Sequence, residues 1–159
     1  HCVAKIGCES GELLINDMRP VYNDPFSDKK HILFCKKNQL EELGDLYWYF
    51  AMASDIFGFK LSNVPNMELN LQSETSQDIN RSILELRTEL EDLFWGRIMY
   101  GKNITNEQIA KVIFDLQDLV FCHYYKLVPQ ALELNIAKLK KRYPDKYSDK
   151  SAIERKDKQ

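Results

Sequence analysis

No apolar run in these 159 residues approaches the roughly 20 that a membrane-spanning helix needs, and no signal-peptide pattern is present. The net charge is only −2, so no field of one sign argues for a nucleic-acid or membrane partner. Cys2, Cys8, Cys35 and Cys122 form no C-x-x-C pair, and free, mostly buried thiols in a reducing, cytoplasmic setting are expected. There is no Gly-rich phosphate loop, and His31 and His123 lack ligand-like spacing to other candidates. No Ser/His/Asp or Cys/His arrangement is readable. No segment alternates apolar and polar residues well enough to be a strand. An all-α helical bundle remains.

The bulk composition, 44% hydrophobic and 29% charged, is ordinary for a globular protein. One domain over 1–148 followed by a charged tail over 149–159 is the simplest division. The chain opens His1-Cys2-Val3 directly into a helical pattern, which reads as a fragment or as a missing upstream helix.

The apolar spacing predicts a helix over 3–18, stopped by Pro20. Breaker residues then predict a long loop over 20–37. Asn38-Gln39-Leu40-Glu41 has the pattern of a capping box, so a second helix is expected from about 39 to Phe57, stopped at Gly58, with Glu41 serving the cap. Its middle, Leu46 to Ala53, is apolar around the whole circumference and reads as the centre of the bundle, with Trp48 and Tyr49 either in that core or bordering a base pocket. A polar connector over 60–77 leads to a third helix at 77–95, ending near Gly96. Thr105 to Gln108 form another capping box, opening a helix at 106–124 with Ile109, Val112, Ile113, Leu116, Leu119 and Val120 inward. The last helix, 128–142, is expected to turn Leu132, Ile136 and Leu139 inward and to stop before Pro144.

Two acidic pairs dominate this framework. Glu9 and Glu12 lie about 60° apart on one helix, on a polar stripe with Lys5 and Asn16 that borders the apolar residues Ile6 and Leu13. Glu42 and Asp45 repeat the spacing on the helix that reads as buried, sharing a stripe with Leu46, Tyr49, Ala53 and Ile56. One such pair is usually a solvated face. Two pairs beside apolar faces are different, because ionised carboxylates there are costly without a compensating cation. A hard divalent ion with oxygen ligands, Mg²⁺ above all, resolves the repulsion. On the last helix, Asn135, Lys138 and Arg142 share one stripe and offer donors to phosphate oxygens.

The residues Lys5-x-x-x-Glu9-x-Gly11-Glu12, then Glu41-Glu42-Leu43-Gly44-Asp45, then Asn135-x-x-Lys138-Leu139-x-x-Arg142-Tyr143-Pro144 resemble the all-α nucleoside triphosphate pyrophosphohydrolases of the MazG type. The segment Leu71 to Gln130 is similar to that of the longer, phage-type versions. This resemblance implies hydrolysis of an NTP or dNTP to the monophosphate and pyrophosphate. Mg²⁺, with Mn²⁺ as a possible substitute, would be held by Glu9, Glu12, Glu42 and Asp45. Glu9 or Glu12 would act as the base. Lys5, Asn135, Lys138 and Arg142 would bind phosphates, in a homodimer or homotetramer. Dimeric dUTPases and phosphoribosyl-ATP pyrophosphohydrolases are the nearest enzymatic alternatives. A non-catalytic module that binds a nucleotide or a partner is the alternative of another class.

Overall fold

A computed structural model describes residues 1–22, 29–61 and 75–144. The expected tail over 149–159, the end of the expected domain at 145–148, and most of the expected 60–77 connector lie outside the described residues. Among the described residues there are five helices: α1 (Cys2–Tyr22), α2 (Lys29–Phe57), α3 (Ser76–Tyr100), α4 (Asn106–Tyr124) and α5 (Val128–Arg142). No strand occurs among the described residues. The protein is an all-α bundle. None of these helices is long and apolar enough to cross a membrane.

α2 is the hub, packing against α1, α4 and α5, while α3 covers the other side of α1 and pairs with α4. The α1–α2 pair is antiparallel: His1 stacks edge-on against Tyr49 near one end, and Gln39 donates to Asp17 at the other. α3 is also antiparallel to α1, with Asn80 donating to Asp17 and Arg87 to the Gly7 carbonyl. The centre is filled by Ile6, Leu13, Leu43, Leu46, Phe50, Ile83, Leu90, Ile113, Leu116 and Val120, all fully buried. Each such side chain contributes roughly 1.5–3 kcal/mol of burial. Ser10 sits among them at no cost, because its hydroxyl donates to the Ile6 carbonyl at 2.7 Å.

α4 and α5 have the boundaries their sequences predict, and all six expected inward residues of α4 are buried. Thr105 caps α4 as expected: its side chain accepts from the Gln108 N–H while Gln108 bonds back to the Thr105 N–H.

Four expectations are corrected. α1 runs through Pro20 to Tyr22: a proline this close to a helix end removes one backbone bond without stopping the last turn. α2 begins at Lys29, so only 23–28 of the expected 20–37 loop lies outside a helix, and those residues are outside the described ones. Asn38 to Glu41 is therefore mid-helix rather than a cap. The stretch from Lys29 to Lys37 holds no Pro or Gly, and burial of Cys35 carries the helix across it. α3 passes Gly96 and ends at Gly101, which has the left-handed conformation (φ 59°) that closes helices. Gly96 is instead a close-packing position, where a Cβ would lie 3.1 Å from the Ile104 side chain.

The fourth correction concerns which faces are inward. α5 buries Val128, Ala131 and Asn135 and leaves Leu132 and Ile136 exposed, with Leu139 only partly covered. α2 is not buried all round either. Trp48, Met52 and Ile56 form an exposed stripe, with Trp48 49% exposed, while Tyr49 is half-buried.

Candidate metal centre between two helices

The antiparallel α1–α2 contact brings one acidic pair opposite the other. One carboxylate oxygen each from Glu9, Glu12 and Glu42 lies within 4.8 Å of the others. Glu9 is buried, Glu42 is half-buried and Glu12 is exposed, so the cluster forms a graded opening from the core to solvent. Burial, reinforced by the charges of Glu12, Glu9, Asp45 and Glu41, pushes the Glu42 carboxyl up to about 8. Three hard oxygen donors that repel one another and converge on one point are the donor set that suits Mg²⁺ or Mn²⁺.

Asp45 stands beside this cluster with different partners. Asn135 Nδ2 and Lys138 Nζ both donate to Asp45 Oδ1. Lys138 also lies 3.8 Å from Glu41, which places Glu41 in the charge network of the site rather than in a cap. This arrangement depends on Gly44. A Cβ there would come within 2.7 Å of the Ala131 carbonyl oxygen and 2.9 Å of Asn135 Cβ. With only a hydrogen at Gly44 and a methyl at Ala131, α5 lies close enough for Asn135 to be buried and still reach Asp45. That contact fixes the phase of α5, turning its larger apolar residues outward.

Of the expected phosphate-binding residues, Lys5 pairs with Glu9 at 3.2 Å and sits 6.0 Å from the Tyr49 ring centre. The hydrogen bond to Glu9 holds the Lys5 ammonium above its ordinary pKa. Asn135 and Lys138 are engaged by Asp45. Arg142 lies over Tyr143 and borders a groove of about 820 Å³ between α2 and α5, together with Asp45, Trp48, Tyr49 and Lys140. Sequence reasoning did not show that two of these donors would be spent on a carboxylate.

A second groove, of about 550 Å³, lies on the other side of the cluster between α1 and α3 and includes Glu12, Asp17, Asn80, Arg81 and Arg87. Sequence reasoning did not single out its α3 residues. At its inner end Asp17 is tied to His123, Asn80 and Gln39, in that order of influence, and these hold its carboxyl below the usual range. The only signal for Asp17 was its position one residue beyond the polar stripe that ends at Asn16.

The chain matches no protein-family model, no curated protein and no solved structure.

Proposed function

We propose that the protein is a metal-dependent nucleotide pyrophosphohydrolase of the MazG-like kind, hydrolysing a nucleoside or deoxynucleoside triphosphate to the monophosphate and pyrophosphate. The observation that carries this reading is the convergence of Glu9, Glu12 and Glu42 on one another, with Glu12 bordering the α1–α3 groove and Asp45 the α2–α5 groove. Glu9, Glu12 and Glu42 would hold Mg²⁺ or Mn²⁺, with Asp45 as the adjoining carboxylate. When bound there, the ion supplies positive charge to the phosphates and lowers the pKa of an adjacent water.

The chain's own groups divide the remaining work. Glu9 is tied to Lys5 and buried, whereas Glu12 is exposed at the mouth of the cluster. Glu12 is therefore the better placed of the two to accept a proton from an attacking water. Lys138 and Asn135 fix Asp45, and Lys138 brings a cation to the α5 side of the acids. Lys140 and Arg142, on the adjoining groove, would face the phosphates and stabilise charge on the departing pyrophosphate.

The test is pyrophosphate release from a panel of NTPs and dNTPs, with Mg²⁺ and with a chelator. Metal-dependent release that disappears in Glu42→Gln supports the assignment. A folded wild-type protein that releases no pyrophosphate from any of them would instead point to a non-catalytic binding module. The reading also includes a homodimer or homotetramer in a cytoplasmic setting, which sedimentation and cell fractionation test.

A further inference from the structure

The groove between α2 and α5 has a volume of about 820 Å³, within the roughly 300–1,000 Å³ usual for small-molecule sites. Its walls are mainly apolar and aromatic, with Trp48, Tyr49 and Met52 on α2, Ile136 and Leu139 on α5, and Tyr143 just beyond the end of α5. The close contact at Gly44 fixes α5 in the phase that leaves Ile136 outside the core. Trp48 and Ile136, one on each helix, are 49% and 50% exposed. Water therefore touches a broad indole and an aliphatic side chain inside one groove, and covering both with a flat ring is favourable. Aromatic side chains left accessible in this way are platforms on which nucleobases stack.

The same groove reaches both charged parts of the proposed site. Asp45 borders it, as do Lys140 and Arg142. Tyr49 lies where these parts meet: burial raises its hydroxyl, and the charges of Lys5, Glu9, Asp45 and Arg142 all reach it. A ligand with a flat apolar ring and several negative charges matches this combination, its ring against the apolar wall and its charges toward the cations. The groove is poorly equipped to read the edge of that ring. No Asn or Gln, the side chains that offer a paired donor and acceptor, borders it among the described residues. Asp45 already accepts from Asn135 and Lys138.

We infer that the α2–α5 groove takes the nucleoside part of the substrate, its base stacked on Trp48 and covering Met52 and Ile136. This rests on the pyrophosphohydrolase reading, which supplies the direction of the phosphates, toward the acids and the α5 cations. Trp48 is then a substrate-binding residue that recognises a ring face rather than a hydrogen-bonding edge. Discrimination between bases falls to ring area, so a bicyclic purine is held better than a monocyclic pyrimidine.

Calorimetric titration in Mg²⁺ tests this with ribo- and deoxyribonucleoside monophosphates, which contain no anhydride to cleave, each against its own base-free sugar 5-phosphate. The wild-type protein should bind purine monophosphates about tenfold or more tightly than the sugar phosphate, with pyrimidines in between. Trp48→Ala, at a half-exposed site that does not threaten folding, should abolish the preference and leave sugar-phosphate binding unchanged. Trp48→Phe should keep most of it, and Leu84→Ala, in the α1–α3 groove, should keep all of it. Trp95→Phe removes the other of the chain's two tryptophans. In that variant purine monophosphates should quench the fluorescence of Trp48, and sugar phosphates should not. The inference is overturned if wild type binds all ligands equally or none detectably, or if pyrimidines bind more tightly than purines. It is also overturned if the preference survives Trp48→Ala, if Leu84→Ala removes it, or if a bound purine leaves Trp48 unquenched. An oligomer that dissociates in Trp48→Ala while the preference survives would make the groove a subunit contact instead. Base-dependent binding without pyrophosphate release would refute the hydrolase reading alone. Pyrophosphate release without base-dependent binding would refute the subsite alone.

Discussion

Gly44 and Ala131 bring α2 and α5 so close that a Cβ at Gly44 would sit 2.7 Å from the Ala131 carbonyl oxygen. The neighbour is backbone rather than the end of a flexible side chain, so relief requires α5 to move as a unit. Replacing a mid-helix glycine by alanine ordinarily gains about 0.8–1 kcal/mol, while overpacking a close contact typically costs about 1–3 kcal/mol. The clash should win. Gly44→Ala is expected to lower stability in urea denaturation while far-UV circular dichroism still reports a helical protein. An unchanged or raised midpoint would show that the α2–α5 crossing is not held at this contact.

Glu42 and its neighbours make a different prediction, because their proximity is unfavourable without a cation. Glu42→Gln keeps the size of the side chain and removes a carboxyl that the fold must either hold protonated or leave charged beside the other acids. The metal-free variant should melt at a higher temperature than metal-free wild type, and Mg²⁺ should raise its midpoint less. Turnover should fall at least about a hundredfold, the lower range for losing one strong electrostatic contribution at a reacting centre. Full activity in a folded Glu42→Gln protein would remove Glu42 from the site.

These two positions show which parts of the molecule were readable from residues alone. Thr105 and Pro144 punctuate α4 and α5 locally, so the boundaries of both helices were readable. The acidic pairs were readable as well, since helical spacing places each pair on one face wherever the helix goes. The N-terminal part of α2 was not, because the pattern at Asn38 to Glu41 carries the same local signal inside a helix as at its start. Tertiary contacts of Cys35 and Gln39 override it. The phase of α5 was unreadable for a related reason. Counting apolar residues favours Leu132 and Ile136 as the inward face, whereas the close crossing at Gly44 selects Ala131 and Asn135. Asn80 and Asp17 were missed because a buried polar pair is defined by its partner, 63 residues away in the chain.

Asp45 and Lys138 should be strongly coupled. Lys138 Nζ lies 2.5 Å from Asp45 Oδ1, and the side chains are 14% and 30% exposed. Removing either partner leaves the other facing a poorer environment, Lys138 with Glu41 alone and Asp45 with Asn135 alone. A double-mutant cycle with Asp45→Asn and Lys138→Met should therefore give a coupling energy of about 0.5–3 kcal/mol in unfolding. On the proposed function, both single variants should also lose pyrophosphate release. A coupling energy near zero would place this pair among surface bridges of no structural weight.

The upward shift of Glu42 has a definite sign in a pH experiment. In the unfolded chain its carboxyl titrates near 4.5, and in the fold near about 8. Between those values the folded protein keeps a proton that the unfolded chain has lost, so stability must fall as pH rises. The contribution is fully present below about 4.5 and is lost as pH passes through about 8. Metal-free wild type should thus show a thermal midpoint that declines from pH 5 to 8, beyond any decline in Glu42→Gln. At the proposed metal site, Mg²⁺ binding would need the ionised carboxylate and would displace that proton. Its affinity should rise across the same window, and calorimetry in buffers of different ionisation enthalpy should detect proton release. Identical pH profiles for the two metal-free proteins, together with proton-neutral Mg²⁺ binding at pH 7, would mean that Glu42 is already ionised in the folded state.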